Sequence, residues 1–181
     1  MRLAWVFYLP MILAGAFARE PGALGVADWR HLAYGIGAAL ACAAVTVAGS
    51  RWLARRTAWG RALREEFRRA LGRLDSRQIL TVSLLSGFGE DLLFRGVILA
   101  WLGRWPTSLL FGLFHFPVRR RLIPWSLFAA ALGVVLGALT EWTRTIWPAI
   151  LLHFAINYFN IHDLVEGEPG DVVDAGYEDH H

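Results

Sequence analysis

The sequence predicts an all-α fold: a polytopic membrane bundle of about six transmembrane helices, with a basic amphipathic helix at its surface. Three observations predict it. Of 181 residues, 56% are hydrophobic, including nine Trp and eleven Phe, which is richer than a water-soluble domain of this length needs. The apolar residues fall in blocks rather than in amphipathic stripes. The arginines collect between those blocks, where charges flank membrane spans.

Taken in order, residues 3–18 are read as a first span, slightly short and interrupted by Pro10. Ala16-Phe17-Ala18 also resembles a small-x-small cleavage site, so a cleaved signal peptide is the alternative. Residues 19–30 form a short polar loop. Residues 31–49 form a second span, rich in Ala and Gly, which lets helices approach closely. Residues 51–78 carry nine Arg against Glu65, Glu66 and Asp75, with Trp52, Leu53, Trp59, Leu63, Phe67, Leu71 and Leu74 at helical spacing. That pattern describes an amphipathic helix on an anionic lipid surface. Residues 79–102 are a third span, 103–106 a tight turn, and 107–117 the start of a fourth span that needs residues 118–123 to reach full length. Residues 125–142 and 146–161 are the fifth and sixth spans. Residues 164–181 are an acidic tail expected to be disordered. Three regions follow: 1–78, a membrane core at 79–163, and the tail.

Every basic residue is Arg, and the net charge is +3. Span flanks account for these arginines better than nucleic-acid binding does. With a cytoplasmic N-terminus and six alternating spans, thirteen arginines lie inside and four outside, Arg95 being within the membrane. The positive-inside rule favours this orientation, which places both termini in the cytoplasm and the chain in a bacterial inner membrane. The single Cys42 excludes an internal disulfide and a cysteine metal cluster.

The third span holds Gly87-Phe88-Gly89-Glu90-Asp91-Leu92-Leu93-Phe94-Arg95-Gly96. Each charge there costs roughly 2.5–3.5 kcal/mol at a helix centre, so a structural ion pair or a functional site is implied. Asp91 and Arg95 are four apart and share a face, so they can pair. Glu90 is rotated by about 100° from Asp91 and is left available. His115 lies on the fourth span, and His153 and Asn157 lie one turn apart on the sixth. Isolated polar groups in lipid must find partners, and the economical solution is that these four meet. A carboxylate, two imidazoles and an amide form a hydrolytic constellation. Glu90 would serve as general base on a water, with N–H groups stabilising an oxyanion.

These motifs resemble those of the CPBP family of intramembrane proteases, the CAAX prenyl-protease and bacteriocin-processing (Abi) family. Its pattern is Glu-Glu-x-x-x-Arg, Phe-x-x-x-His and His-x-x-x-Asn/Asp on successive helices. Here it reads Glu90-Asp91 to Arg95, Phe111 to His115 and His153 to Asn157. Three motifs in order, all inside spans, are more specific than any one of them. The resemblance implies an intramembrane endopeptidase of glutamic type. Glu90 and His115 would activate water, His153 and Asn157 would stabilise the tetrahedral intermediate, and Asp91 and Arg95 would support the site. The chain departs from the pattern at Asp91, where the family has Glu. No cofactor is expected; a zinc mechanism, with Glu90, His115 and His153 as ligands, is the alternative.

The expected substrate is a membrane-anchored protein or peptide. The compact, lysine-free sequence resembles the myxosortase-like branch, which would process C-terminal sorting signals. The competing reading is a non-catalytic membrane protein, such as a bacteriocin self-immunity factor.

Overall fold

The computed structural model describes residues 2–115 and 123–166, and these are helical almost throughout. The elements are α1 (Arg2–Ala18), α2 (Trp29–Arg56), α3 (Ala58–Leu71), α4 (Ser76–Leu93), a π turn (Phe94–Ile98), α5 (Leu99–Leu102), α6 (Arg104–Phe114), α7 (Ile123–Thr143) and α8 (Trp147–Glu166). No strand occurs among the described residues. α4 is central, with α1 on one side and α8 on the other; α8 also packs on α2, and α6 pairs with α7. Phe94, Phe111, Leu136, Leu152 and Ile156 form the buried apolar centre.

The single amphipathic helix expected over 51–78 is broken into pieces. α2 continues to Arg56, where Thr57 turns extended and ends it. The Thr57 hydroxyl then accepts the Gly60 amide at 2.9 Å and starts α3. α3 stops at Gly72, whose φ of 64° lies in the left-handed region open to glycine. Asp75 and Gln78 exchange side-chain and backbone hydrogen bonds at 2.8 and 3.0 Å, a capping box that starts α4 ahead of the expected residue 79. The basic amphipathic helix is therefore α3 alone.

Three further boundaries differ from expectation. The turn at 103–106 shrinks to Gly103, and α6 begins at Arg104 with Pro106 in its first turn, where the missing N–H has no helical acceptor. α6 covers 11 residues, about 16 Å at 1.5 Å per residue and only half a bilayer. Its expected continuation falls on residues 116–122, outside those described. α8 runs on through Leu164 and Val165 to Glu166, so the acidic segment begins inside a helix. Residues 167–181, the remainder of the expected tail, lie outside the described residues.

Among the described residues two helices, α2 and α7, are long and apolar enough to cross a membrane, and α1 is a shorter apolar helix. The expected six spans are not reached on length and composition. α4 carries charges and passes into a π turn, and α6 is short. The surface is nevertheless that of a membrane protein. Trp29, Trp101, Trp105, Trp142 and Trp147 are exposed, and all lie at one end of the bundle: the starts of α2, α6 and α8 and the ends of α5 and α7. Trp52, Trp59 and Trp125 mark the opposite end. Exposed tryptophans at helix ends are the pattern found at membrane interfaces, whereas Trp59 and Trp125 line an internal cavity. Between the two ends the outer faces present Val6, Phe7, Leu84, Leu109 and Leu127.

Candidate active site

Glycine sets the approach of the helices that carry the site. A Cβ at Gly87 would stand 3.1 Å from the backbone nitrogen of Phe154, so any side chain there would push α8 from α4. This contact brings His153 and Asn157 of α8 to Glu90 and Asp91 of α4.

Asp91 is fully buried and bridges two partners. One carboxylate oxygen lies 2.9 Å from an Arg95 guanidinium nitrogen, and the other accepts from His153 Nδ1 at 3.1 Å. Arg95 sits in the π turn and reaches the Gly133 carbonyl of α7 at 3.4 Å. Its guanidinium also lies over the Phe111 ring, 4.2 Å from the centroid. A buried arginine is tolerable only with such compensation.

Glu90 is arranged differently. Its side chain is 8% exposed, and among the described residues its Oε2 has no hydrogen-bond partner. Two imidazole nitrogens face that oxygen: His115 Nε2 at 3.6 Å and His153 Nε2 at 3.9 Å. The tautomers follow from the other ring nitrogens. His115 Nδ1 is 2.8 Å from the Phe111 carbonyl, which only accepts, so Nδ1 carries the proton. His153 Nδ1 likewise donates to Asp91. In its neutral form each ring turns a lone pair toward Glu90, and a proton arriving at either Nε2 would be held by the carboxylate. His115 is the C-cap of α6. Its carbonyl accepts from Ser126 of α7 at 2.9 Å.

The four candidate residues thus come together, with one distinction. Glu90, His115 and Asn157 line a cavity of about 480 Å³. His153 is buried beside it and does not line it. Asn157 donates to the Ser86 hydroxyl at 2.8 Å rather than to Glu90. Ser86 and Tyr8 are site residues that the sequence reading passed over. Ser86 had a signal, since it lies one turn before Glu90 on α4. Tyr8 had none, being a lone polar ring in the first apolar block. Tyr8 lines the cavity with Glu90 and Ser86, and its ring is within interaction reach of both. The cavity is also lined by the apolar face of α3, with Trp59, Leu63, Phe67 and Leu71, and by Arg51, Arg64 and Asp163.

Glu90, His115 and His153 converge, yet as placed they do not fit a zinc ion. Among the described residues no group of three or more His, Cys, Asp or Glu side chains is arranged to hold a metal.

Fold and site together define a helical membrane protein with a buried carboxylate–imidazole centre open to an apolar cavity. Residues 74–159 match the Rce1-like family, described as type II CAAX prenyl endopeptidase Rce1-like. That segment, which holds Ser86, Glu90, Asp91, Arg95, His115, His153 and Asn157, belongs to this CAAX-protease (CPBP) family. The uncharacterized protein YpbD of Bacillus subtilis (strain 168) is 38% identical over 81 residues, which are 44% of this chain and 41% of YpbD. The chain thus spans about two fifths of that relative's length. No solved structure matches the chain.

Proposed function

We propose that this protein is an intramembrane endopeptidase of glutamic type. The observation that carries the reading is the Glu90 carboxylate: buried, without a hydrogen bond at Oε2 among the described residues, faced by two imidazole nitrogens, and open to a cavity. A water in that cavity would give a proton to Glu90 while its oxygen attacks the carbonyl carbon of a bound peptide bond. His115 Nε2 would orient this water as an acceptor. Asn157 has a second N–H beyond the one given to Ser86, and it would hold the developing oxyanion. His153 would add a donor once protonated, its imidazolium held by Asp91 as the Asp of a Ser-His-Asp triad holds its histidine. The proton on Glu90 would then pass to the leaving nitrogen as the C–N bond breaks. The chemistry needs no group beyond these side chains.

The cavity mouth lies among Arg51 and Arg64 at the arginine-rich end, so substrates would reach Glu90 from the cytoplasmic face of a bacterial inner membrane. The apolar lining suits a membrane-anchored protein or peptide, and a C-terminal sorting signal of the myxosortase type is the narrower candidate. Exposed Arg55, Arg56, Arg61 and Arg73 would rest on anionic lipid. In this reading six segments cross or enter the bilayer, with both termini inside. The deciding experiment is Glu90→Gln in a reconstituted cleavage assay. Loss of cleavage is expected; full retention would leave a non-catalytic membrane protein, such as an immunity factor, as the better description.

A further inference from the structure

The family match begins at residue 74, yet the cavity takes a polar side chain from α1. Tyr8 lines it together with Glu90, Ser86, His115 and Asn157. Helix α1 is seated firmly enough to place that ring. A Cβ at Gly15 would fall 2.7 Å from the Leu92 side chain, and one at Gly89 would fall 3.2 Å from Ile12. These two glycines, one on each helix, let α1 lie directly on α4. Just past α1, the Glu20 amide donates to the Gly96 carbonyl at 2.8 Å, a carbonyl of the π turn that carries Arg95.

A phenol has one proton to give. The Ser86 hydroxyl donates to the Ser83 carbonyl at 3.2 Å and accepts from Asn157 at 2.8 Å. Of the two groups that Tyr8 faces, the carboxylate of Glu90 is the stronger acceptor. From this geometry we infer that Tyr8 is a positioning residue for Glu90. Its hydroxyl donates to the carboxylate and holds the rotation that turns Oε2 toward His115 and His153. This assignment rests on Glu90 being the general base. It also makes α1 part of the working enzyme, because cleavage after Ala18 would remove Tyr8.

The test uses the full chain in lipid nanodiscs, with wild type, Tyr8→Phe and Glu90→Gln assayed side by side. Phenylalanine keeps the ring and its edge contact with Phe7 at 5.1 Å and removes the hydroxyl alone. The expected result is a fall in kcat of roughly 10- to 100-fold, with KM and the thermal midpoint unchanged. Mass spectrometry of the membrane-extracted protein should find α1 still attached. A kcat within about twofold of wild type, beside an inactive Glu90→Gln, would overturn the Tyr8 assignment and leave the protease reading standing. So would a loss of activity accompanied by a lowered thermal midpoint, or an active chain that begins after Ala18. An active Glu90→Gln would instead remove the reading on which the assignment rests.

Discussion

His153 and Asp91 tie α8 to α4: the imidazole Nδ1 donates to one oxygen of a fully buried carboxylate at 3.1 Å, while Arg95 lies 2.9 Å from the other. One aspartate thus serves as counter-ion for a buried cation and as orienter of a site imidazole. Asp91→Asn would leave Arg95 without its charge partner. A loss of about 3–5 kcal/mol is expected, together with loss of cleavage. Thermal unfolding of the purified variant measures the first, and a midpoint equal to wild type would show that Arg95 is compensated elsewhere. Asp91→Glu restores the residue of the resembled motif but adds a methylene where no space is open. A cost of about 1–3 kcal/mol is expected, with partial activity.

Gly87 gives a second prediction. The α4–α8 approach at this residue leaves a new Cβ only 3.1 Å from the Phe154 backbone, between the two α8 residues of the site. Gly87→Ala should displace His153 and Asn157 together by a few tenths of an ångström. Activity should fall about 10- to 100-fold and stability by about 1–3 kcal/mol. An unchanged rate would mean that α8 tolerates the shift without disturbing the site.

The parts of this molecule legible in the sequence are those with a local or periodic cause. Apolar blocks announced the helices, and four-residue spacing announced the Asp91–Arg95 pair. Glu90, His115, His153 and Asn157 stood out because polar groups are costly among apolar ones. Other features were written locally but overridden in reading. The Thr57 cap and the Asp75–Gln78 capping box were hidden because apolar spacing carries across both. The π turn at Phe94–Ile98, the end of α6 at His115 and the arrival of Tyr8 at Glu90 come from packing between helices. No single stretch of sequence contains their cause.

Chelation offers a third prediction. The proposed mechanism places Glu90 as the base, with each Nε2 able to exchange a proton with its carboxylate, and routes no step through a metal. Dialysis against a strong chelator should therefore leave the cleavage rate unchanged. A complete loss restored by zinc alone would show that the three side chains draw together around a metal in the working enzyme.

The last prediction concerns the side from which the cavity is reached. The cavity is lined by the end of α2, by α3 and by the end of α8, where the proposed route places its mouth. The opposite end is tied shut. Ile146 donates its amide to the Ala23 carbonyl at 3.0 Å, Trp147 donates its indole N–H to Leu24 at 3.0 Å, and Glu20 bonds Gly96 at 2.8 Å. With Cys42 changed to Ala, a cysteine at Arg61 on α3 should react with a membrane-impermeant maleimide only in inverted vesicles. A cysteine at Ala23 should react only in right-side-out vesicles, and a reporter fused after residue 181 should read cytoplasmic. A cysteine at Leu63, which lines the cavity, should give an enzyme that the same reagent blocks from the inner face alone. The reverse labelling pattern would place the cavity mouth outside the cell and would overturn both the orientation drawn from the arginines and the route proposed for substrates.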